Sequence, residues 1–356
     1  MNAGHVDFAV VGGGIVGCLI AREIACRSAE ASVVLVERDA IGSGASRRSA
    51  GLHFPRGATP RIRAMTEYSQ EFYRRLAENW PARTGHALPI HAMPMTVVAS
   101  ADRAPLLREH YLDGAGLTSL STAPACLGPL PSQSRMWQGD GCQYADVGAL
   151  SRTLADALPE RVRIREGIRV EAVEHRSDHV LLRLSNGEHL VADRVVLAPG
   201  PWLADPAWQG LVAPLAARVK KVVALHLAER PAPDDPVVVF EDEDAFLLPL
   251  RNRGHWLFSY TCRQWDVDPD AAPTGLSAED LYEARTILRR YAQPLAEGPA
   301  AGRVFCDAYS SSREPEVRDL SGDRRLLFAG AANGSGYRMA PAIAAQVADV
   351  LAPPTV

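Results

Sequence analysis

Short, unbroken apolar runs that stop at glycine or at an acid punctuate both ends of this chain. Phe8-Ala9-Val10-Val11 leads into Gly12-Gly13-Gly14-Ile15-Val16-Gly17, and Val33-Val34-Leu35-Val36 ends on Glu37. Arg194-Val195-Val196-Leu197-Ala198-Pro199-Gly200 and Leu326-Leu327-Phe328-Ala329-Gly330 repeat the pattern. Runs apolar at every position predict strands buried on both faces, the habit of a parallel sheet. Helical spacing appears elsewhere. Thr59 and Pro60 look like a cap and first helical residue ahead of Ile62, Met65, Phe72 and Leu76. A second helix starts at Asp146 (Leu150, Leu154, Leu158), Ser277 with Asp280 approximates a capping box, and a last helix closes at Leu351. Between these lie strand-like segments: Val162–Ile164, Val170–Val173, Val180–Leu184 and His189–Val191, with Asn186-Gly187 marking a hairpin. Val222–Leu227, Val237–Phe240 and Trp256–Tyr260 continue the series, and residues 85–139 read as strands and loops.

The first two runs, with the helix-like stretch between them, make a strand, a glycine turn, a helix, a second strand and an acid. A dinucleotide needs that order. Gly12 permits the tight turn, Gly14 lets the backbone approach a pyrophosphate, and Gly17 lets the helix pack on the sheet. Phosphates then sit at the helix N-terminus, and Glu37 accepts hydrogen bonds from a ribose diol. The later glycine-ended strands predict an α/β, Rossmann-like nucleotide domain built from discontinuous segments, 1–52, 141–204 and 312–356. Residues 53–140 and 205–311 then form a mostly antiparallel β substrate domain with flanking helices.

Composition narrows the function. The 356 residues suffice for two domains, and a net charge of −4 invites neither nucleic acid nor anionic lipid. The acidic run Glu241-Asp242-Glu243-Asp244 reads as a solvated loop, with steering of a cationic substrate as the alternative. Six cysteines show no metal-ligand spacing, and Cys18 and Cys26 read as core of the first helix. No run is long enough to span a membrane, and no signal peptide precedes the first strand, so a cytoplasmic setting is expected.

The chain resembles the D-amino-acid oxidase superfamily of FAD-dependent oxidoreductases, which includes glycine and sarcosine oxidases and D-amino-acid dehydrogenases. Four stretches carry the resemblance: Val10–Gly17 with Glu37, Gly44–Gly51, Val195–Trp202, and Phe328–Gly330 through Gly336–Pro341. The resemblance implies bound FAD. Gly12, Gly14, Ile15, Val16 and Gly17 would hold its pyrophosphate, Glu37 the adenosine ribose, and Arg38 would lie near the adenine, as would the Val170 backbone. Ser46, Arg47 and Arg48 would meet the phosphates and ribityl chain. Ala50 and Gly51 would run beside the isoalloxazine, with Gly200 at the turn after the third strand. The loop of Gly334, Gly336, Tyr337, Arg338 and Met339 would bring N–H groups to the flavin pyrimidine.

The resemblance also assigns chemistry. Gly336-Tyr337-Arg338 stands where sarcosine-oxidase-like members place the basic residue that grips a substrate carboxylate, so Arg338 is the expected clamp; a partner for a core acid or a flavin oxygen is the other reading. Tyr309, His53 and Arg313 are further substrate candidates, each set against a structural reading. Lys220 and Lys221 stand where relatives carry basic residues near the flavin, or simply end a strand. Cys306 lies 32 residues before Arg338, near the distance at which some members attach FAD covalently, although non-covalent FAD is the main expectation. The oxygen-activating lysine of sarcosine-oxidase-like enzymes is missing from Leu257–Tyr260, which leaves oxygen or another acceptor open. The expected reaction is oxidation of an amino acid Cα–N bond by hydride transfer to flavin. A 2-hydroxy-acid oxidoreductase, with a histidine such as His53 as base, and a flavin-carrying subunit of a larger complex are the alternatives.

Overall fold

The structure, a computed structural model, describes residues 4–80, 87–272 and 275–352. Its strands form two sheets. The first has the order 316–319, 326–330, 189–197, 4–11, 33–36, 162–165. All its neighbours are parallel except the outer 316–319, and the hairpin 170–175/180–184 adds antiparallel to the start of 189–197. Val33–Val36 and Leu326–Phe328 are each at most 1% exposed, as strands covered on both faces must be. Helices Ile15–Arg27, Val147–Asp156 and Gly336–Leu351 share one core cluster on one face of this sheet.

The expected local signals operate. The Thr59 hydroxyl accepts the Ile62 N–H at 3.2 Å with Pro60 in the first turn. Ser277 and Asp280 form a reciprocal capping box. Gly187 takes φ +80° in the hairpin. Three readings change. Residues 104–110 form a helix inside a segment read as strands and loops, Cys26 is exposed while Cys18 is core, and the divisions at 52/53 and 140/141 cut two strands, Leu52–His53 and Ser134–Ala145.

The second sheet runs 300–309, 218–227, 255–260, 245–250, 237–240, 90–100, 134–145, 52–53, and only the 237–240/90–100 pair is parallel among its described pairings. Strand alternation gives it two different faces. Val223, Leu225, Phe258, Tyr260 and Val304 pack with Ala284 and Leu288 of helix Ala278–Tyr291. Lys220, Val222, Ser259, Phe305, Asp307 and Tyr309 instead roof a cleft against the first sheet.

Candidate active site

Both long helices of the nucleotide half begin at this cleft. Ile15–Arg27 starts from Gly14 and Gly336–Leu351 from Ser335, and neither N-cap residue offers a side-chain cap or is followed by an acid in the first turn. Unpaired N–H groups and positive dipole ends therefore meet the cleft at two places, both suited to an anion. The cleft, about 360 Å³, runs from Glu37 and Trp208 at one end to Phe246 and Arg338 at the other.

The glycine turn is dictated by contact. Gly12 has φ +108°, and a Cβ there would lie 2.2 Å from the Ala198 oxygen; one on Gly17 would lie 1.8 Å from the Gly12 oxygen. Gly14 differs, because a Cβ there would meet only Ser46 Oγ at 3.2 Å. Its use is to keep the backbone open to the cleft. Glu37 accepts the N–H of Gly13 at 2.7 Å and of Asp39 at 2.9 Å, and burial pushes its carboxyl above the ordinary range. A carboxylate has lone pairs beyond those two bonds for a ribose. Arg38 lines the same end, with its guanidinium 4.2 Å from the Trp202 ring centre and 2.8 Å from Asp270.

Ile15, Val16, Ser46, Ala50, Gly51, Val170, Gly200, Gly334, Gly336 and Tyr337 also line the cleft. Ser46 Oγ accepts the Ile15 N–H at 2.9 Å, so it caps the start of the Ile15–Arg27 helix from outside. Arg47, Arg48 and Met339 do not line it. The four-residue helix Ala45–Arg48 turns Ser46 inward and leaves Arg47 exposed, while Met339 is 1% exposed within the helix core.

At the far end, Arg338 lines the cleft and donates to the Arg56 carbonyl at 3.1 Å and the Ser335 hydroxyl at 2.6 Å. No carboxylate pairs with it among the described residues. Burial, then the Arg56 charge, pulls it down to about 10. Arg56, which no sequence pattern marked, also lines the cleft and is held by Glu241 at 3.0 Å, a carboxylate that also accepts the Tyr111 hydroxyl at 2.7 Å. Tyr309 lines the cleft with its hydroxyl against Gly334, where a Cβ would stand 2.9 Å away.

Other candidates fall elsewhere. His53 is 0% exposed, does not line the cleft, and has no hydrogen-bond partner for either ring nitrogen among the described residues. Burial and the Arg338 charge press it down to about 3, so the ring is neutral. Arg313 is exposed on a turn with φ +60°. Lys221 lines the cleft, but its ammonium pairs with Asp280 at 2.7 Å. Cys306 packs with Val219 and Ala308 while its neighbours Phe305 and Asp307 line the cleft, and burial pushes its thiol up to about 11. Nothing in this placement supports a flavin bond to sulfur. The acidic run is no simple solvated loop either: Glu241 is buried, Asp242 accepts the Ser100 N–H at 2.7 Å, and Asp244 lines the cleft.

The profile of the family described as FAD dependent oxidoreductase (DAO) matches residues 7–350. The chain belongs to that family. This oxidoreductase is 29% identical to 4-methylaminobutanoate oxidase (formaldehyde-forming) of Paenarthrobacter nicotinovorans over 97% of its own length, and it spans 43% of that relative. It is 24% identical to glycine oxidase of Pseudomonas putida, over 96% of this chain and 93% of that one. In fold it is similar to glycine oxidase from Geobacillus kaustophilus, with a TM-score of 0.82, 20% identity, and coverage of 99% and 96% of the two chains. FAD is the cofactor of the family, and the cleft fits it: two helix N-termini for anionic groups, an acid at the ribose end, and one continuous cavity joining them. None of the described helices is long and apolar enough to cross a membrane.

Proposed function

We propose that the enzyme oxidises the Cα–N bond of an amino acid, with Arg338 binding the substrate carboxylate. One observation carries the reading: Arg338 is a cation in a cleft with two neutral acceptors and no counter-ion among the described residues. A guanidinium has five N–H donors in a planar fork, so after the Arg56 carbonyl and the Ser335 hydroxyl it keeps donors for a bidentate carboxylate. Bound FAD supplies the hydride acceptor. Arg338 and the roof hold the Cα–H in place, and Phe246, Phe305 and Val222 exclude water from the space between.

The activities named for the relatives, oxidation of glycine and of 4-methylaminobutanoate, agree with a substrate bearing both carboxylate and amine. The hydroxy-acid alternative wanted His53 as a base, and a neutral, fully enclosed ring outside the cleft does not favour it. The test is anaerobic bleaching of the flavin's visible band by a panel of D-, L-, N-methyl and cyclic amino acids, with Arg338→Ala alongside. Bleaching is expected, and the variant should retain FAD while weakening substrate binding about 100-fold. A variant with unchanged substrate Kd, or a panel in which nothing bleaches the flavin, overturns the reading. Reoxidation of the bleached enzyme by air distinguishes an oxidase from a dehydrogenase.

A further inference from the structure

The roof of the cleft carries two opposite charges that do not meet. Lys220 and Asp307 are directly paired in the register of strands 218–227 and 300–309, and both line the cleft. Side chains so placed stand within reach of an ion pair. Lys220 instead lies over two aromatic rings, 4.8 Å from the centre of Trp265 and 5.3 Å from that of Tyr309. Asp307 lines the cleft, and among the described residues its carboxylate has no side-chain hydrogen bond or ion pair. Burial raises its carboxyl to about 7.

A zwitterionic substrate gripped by Arg338 brings an ammonium group into this space, where an unpaired cation is costly. Two carboxyl groups line the roof. Asp244 is exposed at the lip and already accepts the Thr261 hydroxyl. Asp307 is part-buried and has no partner among the described residues. Glu241 is committed to Arg56 and Tyr111, and Glu37, Asp39 and Asp205 line the nucleotide half of the cleft.

We propose that Asp307 is the base that takes the proton from the substrate ammonium group, an inference that rests on the amino-acid reading above. One N–H bond of the ammonium breaks, the proton forms an O–H bond on Asp307, and the nitrogen keeps the electron pair. An ion pair becomes a neutral amine beside a neutral carboxylic acid, with no change in net charge, and a water-poor cleft favours that exchange. The amine lone pair then weakens the adjacent Cα–H bond, which an ammonium cannot do. When product leaves, the acid returns its proton to water at the lip. The groups near Asp307 are Lys220 on the adjoining strand and Tyr309 on its own, with Asp244 also lining the roof; its chain neighbour Cys306 has Arg48, Asp268 and Lys221 near it.

The test compares wild type, Asp307→Asn and Asp307→Glu, all FAD-loaded, by anaerobic rapid mixing with an amino acid that bleaches the wild-type flavin. Asp307→Asn should slow flavin reduction about 100-fold below the ammonium pKa of the substrate and recover as pH rises past it, with partial rescue by glutamate. A purely structural residue would slow reduction equally at every pH. A second readout needs no turnover: 2-aminoisobutyrate has no Cα–H, and its binding should raise a protonated-carboxyl C=O stretch in the infrared difference spectrum of wild type but not of Asp307→Asn. An unchanged pH profile in Asp307→Asn, or the same infrared band in both proteins, overturns the proposal while amino-acid oxidation stands. If no amino acid reduces the wild-type flavin, the amino-acid reading fails and this inference falls with it.

Discussion

Arg303 Nε donates to the main-chain oxygen of Arg48 across 2.8 Å, tying a roof strand to the segment that runs along the cleft floor. Its Nη2 reaches the Ser49 oxygen at 3.3 Å, and Ser49, Ala50 and Gly51 line the cleft immediately afterwards. Arg303→Ala removes two charge-assisted bonds and leaves two carbonyls unmet. It should cost about 2 kcal/mol in the unfolding free energy of the FAD-loaded enzyme and speed flavin release, followed by the return of free-flavin fluorescence. Equal Tm and equal release rates in variant and wild type would refute this.

The same guanidinium fixes a chain of tautomers. Arg303 can only donate, so His226 Nε2 must accept from it; His226 Nδ1 then donates to His255 Nε2 at 2.6 Å, and His255 Nδ1 to the Arg253 oxygen at 3.1 Å. The His226 ring must then be neutral. Burial, with the Arg303 charge second, holds His226 down at about 4, below its ordinary 6.5. The unfolded chain therefore binds the extra proton between those values. The contribution is complete above about pH 6.5 and is lost as pH falls toward 4. Tm against pH should fall more steeply in wild type than in His226→Gln over that window, and parallel curves would contradict the assignment.

Gly17 tests the turn. A methyl group 1.8 Å from the Gly12 oxygen cannot be relieved by rotating a side chain, since the obstacle is backbone. Gly17→Ala should cost about 3 kcal/mol and yield protein purified without yellow colour. Full flavin content after purification would show that the turn yields more than this geometry allows.

Asp270 organises the nucleotide end without lining the cleft. Its carboxylate takes Arg38 Nη2 at 2.8 Å and Trp202 Nε1 at 2.7 Å, so one group orients both partners of the cation–π stack. Asp270→Ala should weaken FAD binding about threefold or more, measured by flavin fluorescence titration of the apoprotein, with kcat of the loaded enzyme unchanged. A lower kcat at saturating FAD would argue that the effect reaches the roof.

Asp307 carries a stability cost. Its folded carboxyl is raised to about 7 against an ordinary 3.8, so stability is lost as pH climbs through that interval. Asp307→Asn should therefore unfold a few degrees higher than wild type above about pH 7 and at the same temperature below about pH 4. A destabilised variant at high pH would show that the carboxylate has a partner in the fold.

The nucleotide half was legible because its signals are local. The clash of Gly17 with the Gly12 oxygen, the Thr59 cap and the Ser277–Asp280 box involve residues five or fewer apart, and one short stretch of chain contains the whole constraint. Glu37 lies 24 residues from Gly13, yet one crossover unit still sets its place. Such features are local enough to predict a glycine-turned nucleotide site, whereas Gly334–Arg338 carries its meaning through the family resemblance of its glycine-x-glycine-aromatic-basic stretch.

The catalytic end depended on tertiary structure, for two physical reasons. Strand side chains alternate, so moving one residue along a strand changes a side chain's surroundings: Asp307 lines the cleft and Cys306 does not, and the Lys220 ammonium lies over two aromatic rings while that of Lys221 pairs with Asp280. Sheet pairing also joins residues far apart in the chain. Strand register sets Lys220 beside Asp307, and the folding of the second sheet brings Arg56 to Glu241, through long-range pairings that no local pattern encodes. His53 and Arg313 have suitable chemistry, but packing buries one and a turn exposes the other. The sequence by itself determined a strand–glycine-turn–helix–strand–acid unit of the kind a dinucleotide uses. The tertiary structure decided which acids and cations share the cleft with it, because that depends on strand parity and long-range pairing.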